Sequence, residues 1–199
     1  MSTVIVPSHP SAARRAAGTV TAGLLALVAA CQGDMSFETC EDIAAIDAPI
    51  APRSDPEPGR LAGLTAAHNA VRAELGIAPL TWSPEVAAFA QEWADKLAAM
   101  GCVMQHRPYQ GPDAQKYGEN IFSSWGYMPT AQDVVDSWAV EVADYDAIAN
   151  TCSGVCGHYT QVVWADSERL GCGMASCDDQ EVWVCNYDPP GNIWGQRPY

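Results

Sequence analysis

The sequence predicts an α+β domain in which helices pack on an antiparallel sheet. Three observations predict it. Apolar residues recur at helical spacing early in the domain, strand-like apolar runs gather toward its end, and two of those runs flank a short polar turn.

Each element has its own signal. Over residues 64–75, Leu64, Ala67, Val71 and Leu75 share one helical stripe, and Gly76 is a natural stop. A second helix follows Ser83 as N-cap and Pro84 in the first turn. Its buried stripe is Val86, Phe89, Ala90, Trp93 and Leu97, and Gly101 ends it. A third begins at Thr130, with Asp133 as a capping-box-like partner and Val134, Trp138, Glu141 and Tyr145 on one face. Strands are predicted at about residues 120–123, 159–164, 170–175 and 182–187.

Of the 199 residues, 10 are Lys or Arg and 24 are Asp or Glu, a net charge of −14. Such a surface repels phosphate backbones and anionic lipid, which excludes nucleic acid as a partner and a purely electrostatic hold on membranes. The first 30 residues read as an export signal, with Arg14 and Arg15 ahead of an apolar run and small residues before Cys31. That run is too short for a permanent membrane span. The "VAAC" end resembles the lipobox of bacterial lipoproteins, in which Cys31 is cleaved, lipidated and becomes the anchor. The other reading is an ordinary signal peptide, with Cys31 left to pair with Cys40. Residues 31–60 are rich in Pro and acid and lack periodicity, so they read as an extended linker to a domain over 61–199.

Eight cysteines in an exported chain point to disulfides. The polar turn is Asp178, Asp179, Gln180 and Glu181, and a hairpin centred on it sets Cys172 opposite Cys185. Cys177, five residues from Cys172, faces the other side of the sheet and by elimination takes Cys102. Cys152 and Cys156 are close enough to close a small loop. No CxxC pair occurs, which disfavours metal thiolates.

A few polar residues fit a plain core or surface poorly. Glu141 lies on the apolar stripe with Trp138, where a lone carboxylate needs a partner or a rim position. Glu119 stands at the mouth of a strand behind Gly118. His158 heads the apolar run at 159–164, where alternation puts it with Thr160, Val162 and Trp164. His106 falls in the loop after the second helix. His68 sits on the first helix's stripe and reads as a hydrogen-bonded core histidine. His9 lies in the leader.

The segments "HNAVRAELGIAPLTW", "YGENIF", the spaced Trp138, Glu141 and Tyr145, "CGHYTQVVW" and "VCNYDPPGNIWGQRPY" follow one another in order. Together they resemble the CAP superfamily, or SCP-like domain, of cysteine-rich secretory proteins, insect venom antigens and plant pathogenesis-related proteins. The resemblance spans residues 61–199. It implies a three-layer α-β-α sandwich with a central antiparallel sheet and a large open cleft. It also implies that His106, Glu119, Glu141 and His158 line the cleft and hold a divalent metal such as zinc, while His68 stays outside the set. Where some family proposals place a nucleophilic serine after the first cleft histidine, this chain has Arg107.

The reading that follows is an exported bacterial CAP-domain protein of lipoprotein type, lipid-anchored in the cell envelope or extracellular, that binds a small hydrophobic ligand, lipid or sterol, or a cell-envelope component, with membrane contact only through its anchor. The alternatives are a metal-dependent hydrolase, peptidase or esterase, with Glu119 or Glu141 as general base, and a structural or interaction module.

Overall fold

A computed structural model describes residues 57–199. The leader, Cys31, Cys40 and all of the linker before Glu57 lie outside the described residues. The elements in order are α1 (Leu64–Glu74), β1 (Thr81–Trp82), α2 (Pro84–Ala99), β2 (Gly118–Trp125), α3 (Ala131–Ala139), β3 (Tyr145–Asp146), β4 (Thr151–Cys152), α4 (Gly157–Val162), β5 (Arg169–Cys177) and β6 (Gln180–Asp188). Glu57 packs at the head of the domain. Its carboxylate accepts the Gly63 and Thr65 N–H groups at the start of α1.

The main sheet has the order β1-β5-β6-β2, so among the described residues β2 is an edge strand. Layers follow from the two-residue period of the strands. One face carries Ile121, Val182 and Val184, which pack with Ala90, Trp93, Ala94 and Leu97 of α2. The other carries Leu170, Cys172, Trp183, Cys185 and Tyr187, which pack with residues of α1, α3 and α4. The result is an α+β sandwich of three layers, with one difference from expectation. The sheet is mixed: β1 runs parallel to β5, because its two residues arrive from α1 rather than through a hairpin.

The caps form as their residue types dictate. Ser83 accepts the Val86 N–H with Pro84 at the first helical position, and Thr130 and Asp133 close a reciprocal capping box. The hairpin register pairs Cys177 with Gln180 and Cys172 with Cys185. Disulfides join Cys172–Cys185 across the hairpin, Cys102–Cys177 between the end of α2 and β5, and Cys152–Cys156 before α4.

Two expectations about local structure are corrected. The run at 159–164 is not a strand: α4 takes Gly157–Val162, so His158 sits in the first turn of a short helix. Residues 159–164 are all buried, and an apolar run buried on every side carries no period to separate helix from strand. The third helix ends at Ala139, so Glu141 lies in a 3-10 turn (Val140–Asp144) and Tyr145 in β3. Three residues per turn in that segment still set Glu141 below Trp138, which preserves the face read from the sequence.

Candidate functional site

Two His–Glu pairs meet at the start of edge strand β2, one from each side of the sheet. Glu119 shares the α2 face, by its alternation with Ile121 and its register opposite Asn186. Its Oε1 accepts from His106 Nδ1 at 2.9 Å and from the Arg107 N–H at 3.0 Å, and Asn186 Nδ2 approaches Oε2 at 3.4 Å. The Glu119 side chain is wholly buried, whereas the His106 side chain is 54% exposed.

On the other face, His158 Nδ1 lies 2.6 Å from Glu141 Oε1. Glu141 Oε2 accepts the N–H groups of His158 at 2.9 Å and Tyr159 at 3.3 Å. The one carboxylate thus fixes the ring and satisfies open donors at the start of α4. The His158 ring also stacks on Trp138, 14° from parallel.

An ionised carboxylate only accepts, so Nδ1 is the donor in each pair, and in the neutral tautomer Nε2 then carries the lone pair. Both histidines line one open cleft of about 580 Å³, with Glu119, Asn120 and Gln161 among its other walls. Gln161 threads between two glycines. Its Oε1 accepts the Gly191 N–H, and a Cβ on Gly118 would stand 2.3 Å from that same oxygen. Arg107 turns away from the cleft: its guanidinium lies over Phe89 and Trp93 and donates to the Phe89 carbonyl.

A buried hydrogen-bond chain links the site to α1. His68 Nδ1–H donates to the Leu64 carbonyl at 2.7 Å, so Nε2 accepts from the Tyr187 hydroxyl at 2.8 Å. Asn120 Nδ2 donates both to the Tyr187 oxygen at 3.1 Å and to the His158 carbonyl at 3.0 Å. Asn120, Gln161 and Tyr187 carry no periodic or charge signal in the sequence. Only their places inside the quoted segments mark them.

Burial pushes the pKa of His68 down to about 4 from 6.5, with the Leu64 carbonyl opposing and the Arg72 charge adding to the effect. Because the folded value lies below the unfolded one, the unfolded chain takes the proton first as pH falls. The neutral ring's contribution, about 3 kcal/mol, is full above pH ~6.5 and is lost as pH falls toward pH ~4. The wild type is expected to lose stability more steeply over that window than His68→Gln in urea titrations, and parallel profiles would contradict this assignment.

The family model "CAP: Cysteine-rich secretory protein family" matches residues 65–187. Pathogenesis-related protein 1A of Nicotiana tabacum is 47% identical over 136 residues, covering 67% of this chain and 77% of that protein. The chain belongs to the CAP family. Among solved structures, venom allergen-like protein 4 of Schistosoma mansoni superposes with a TM-score of 0.54 at 26% identity, covering 69% of this chain and 91% of the other. NaASP2 with Zn2+ shares the fold, with a TM-score of 0.58 at 22% identity over 74% and 88% of the two chains. The family is one of secretory proteins, and three disulfides suit the oxidising compartment that export reaches.

Among the described residues, no three His, Cys, Asp or Glu side chains form a metal-binding group. The four expected ligands therefore do not stand as one cage. The two imidazoles offer Nε2, and the two carboxylates stand behind them on Nδ1, the arrangement of outer-shell partners that orient histidine ligands. That donor set fits a divalent ion held by two histidines, with water completing its shell.

Proposed function

We propose that this CAP protein is an exported binding protein whose cleft holds a divalent metal, zinc by ligand chemistry, on His106 and His158. Its ligand is a component of the cell envelope with apolar groups, lipid or sterol among them. The observation that carries the reading is the pairing of both cleft imidazoles through Nδ1 to carboxylates, which leaves two Nε2 lone pairs on one hollow. The open cleft offers polar groups on its floor and Tyr109, Val155, Ile193 and Trp194 along its lining, which suits an amphiphilic ligand.

A bound zinc would supply Lewis acidity and an acidified water, the basis of the hydrolase reading. The glutamates are poor bases for that chemistry as they stand. Glu119 has no exposed side-chain surface, and both Glu141 oxygens already accept hydrogen bonds. Their role here is to orient the imidazoles and hold Nδ1 protonated.

Calorimetric titration with zinc chloride tests the reading. Zinc is expected to bind the wild type, to weaken by about tenfold in Glu119→Gln and to lose binding in His106→Ala plus His158→Ala. Unchanged binding in the double variant would remove the metal proposal. We also propose a lipid on Cys31, which holds the domain at the membrane. Palmitate fed to cells expressing the protein should label the wild type and leave Cys31→Ser unlabelled; equal labelling of the two, or none, would refute the anchor.

A further inference from the structure

Edge strand β2 leaves one rung of its backbone open to the cleft. The Cα atoms of Cys172 and Cys185 lie 4.1 Å apart, the close spacing of an antiparallel pair that exchanges no backbone hydrogen bonds. Cys185 therefore turns its N–H and C=O toward β2, where its partner is Asn120. By alternation Gly118, Asn120, Phe122 and Ser124 bond to β6, whereas Glu119 turns its N–H and C=O outward. The Gly126 N–H, which has the parity of Asn120, donates to the Asp179 carbonyl at 2.7 Å, as that register requires.

Burial agrees with the register. Glu119 retains 8% exposure although its side chain has none, so the exposed area is main chain. Asn120 and Ile121 are closed off, which separates the opening at Glu119 from the exposed far end of β2. Tyr109, 88% exposed, belongs to the wall formed by the loop after α2. Trp194, 98% exposed, stands with Val155 and Ile193 in the walls formed by the chain before α4 and after β6.

We propose that the cleft takes an extended polypeptide segment, which adds to β2 through the main chain of Glu119 and rests side chains on Tyr109 and on the Trp194 wall. The proposal rests on the reading of this cleft as the binding site for an envelope component, and among such components it selects a polypeptide over a lipid or sterol. A strand-spaced donor and acceptor on one residue are matched by another peptide backbone, whereas a sterol or fatty acid has no such pair to offer. Successive side chains of the added strand point to opposite faces, so the paired residue faces one wall and both its neighbours face the other.

The test uses the whole chain and an end-capped, fluorescein-labelled heptapeptide of alternating leucine and threonine. Two further versions carry N-methyl groups on one or the other alternate set of amides. The parent peptide is expected to bind, and amide exchange at Glu119 to slow. One N-methyl set should weaken binding by about tenfold while the other leaves it nearly unchanged, because only alternate amides face the protein strand. Tyr109→Ala and Trp194→Ala should each weaken it about threefold or more.

Equal binding by both methylated versions overturns the proposal. So does failure of the parent to bind at about 1 mM, or its displacement by palmitate or cholesterol with Glu119 exchange unchanged. Peptide binding that survives in His106→Ala plus His158→Ala, with zinc binding unaffected by the substitutions, sinks the metal reading alone. Loss of the N-methyl discrimination with zinc binding intact in the wild type sinks only the polypeptide.

Discussion

Replacing Arg72 with methionine is expected to cost the folded domain about 3–5 kcal/mol. Arg72 is fully buried in α1, and its partners are all carbonyl oxygens. Nε donates to Ala78 at 2.8 Å, Nη1 to Val162 at 3.0 Å and Trp164 at 2.7 Å, and Nη2 to Ser167 at 3.0 Å, with Ala165 at 3.4 Å. Burial lowers the pKa of the guanidinium to about 10, opposed by Tyr187, so it stays charged at neutral pH. A methionine fills much of the volume and leaves this row of carbonyls without donors.

The consequence reaches the site. A six-residue helix does not persist alone, and α4 is held at its start by Glu141 and at its end by Arg72. His158 rides on that helix. Urea unfolding should therefore show the loss, and Arg72→Lys should recover only part of it, because an ammonium cannot match the planar fork. A loss below about 1 kcal/mol, or full rescue by lysine, would show that the carbonyls find other donors.

Arg72 also marks where sequence reading stops. It lies within the quoted "HNAVRAELG" segment, yet nothing in the charge pattern sets it apart from a surface arginine. Elements whose signals are local were legible: the caps at Ser83 and Thr130, and the hairpin itself. Its turn, however, is Asp178 and Asp179 alone, with Gln180 and Glu181 already in β6, and that shorter turn sets Cys172 opposite Cys185. Glu141 announced itself by standing on an apolar face, and it does turn inward to His158. What was not legible depends on contacts distant along the chain. Residues 159–164 read as a strand because burial from all sides erases periodicity, and α4 exists through partners on α1 and after α3. That His106 and Glu119 belong to one cleft came from resemblance alone, since no spacing links a loop after one helix to the start of an edge strand; their pairing came only with the structure. The division of labour within the pairs, imidazoles forward and carboxylates behind, emerged only with the coordinates.

Substituting Gly171 or Gly173 with alanine is expected to be at least as damaging, about 4 kcal/mol or more. A Cβ on Gly171 would stand 2.0 Å from the Ala87 nitrogen and 2.4 Å from the Val86 carbonyl carbon. On Gly173 it would meet the Gln91 Cα at 2.3 Å and nitrogen at 2.4 Å. These are main-chain atoms of α2, which no rotamer change can move aside. The match is periodic: four helical residues rise about 6 Å, and two strand residues advance about 6.6 Å, so each glycine seats one turn of the helix. Adding a methyl group lifts α2 from the sheet and opens the packing of Ala90, Trp93, Ala94 and Leu97 on Val182 and Val184. It also pulls on Cys102–Cys177, which ties the end of α2 to β5. Gly157 has open space at its Cβ and an ordinary φ, so Gly157→Ala serves as the control, expected within about 1 kcal/mol of the wild type. Because His106 follows α2, the proposed zinc site should also be weaker in any Gly173→Ala protein that does fold, through displacement of His106 from Glu119. Wild-type stability and zinc affinity in both glycine variants would mean that helix and sheet can separate without cost, and the layered support of the cleft would have to be abandoned.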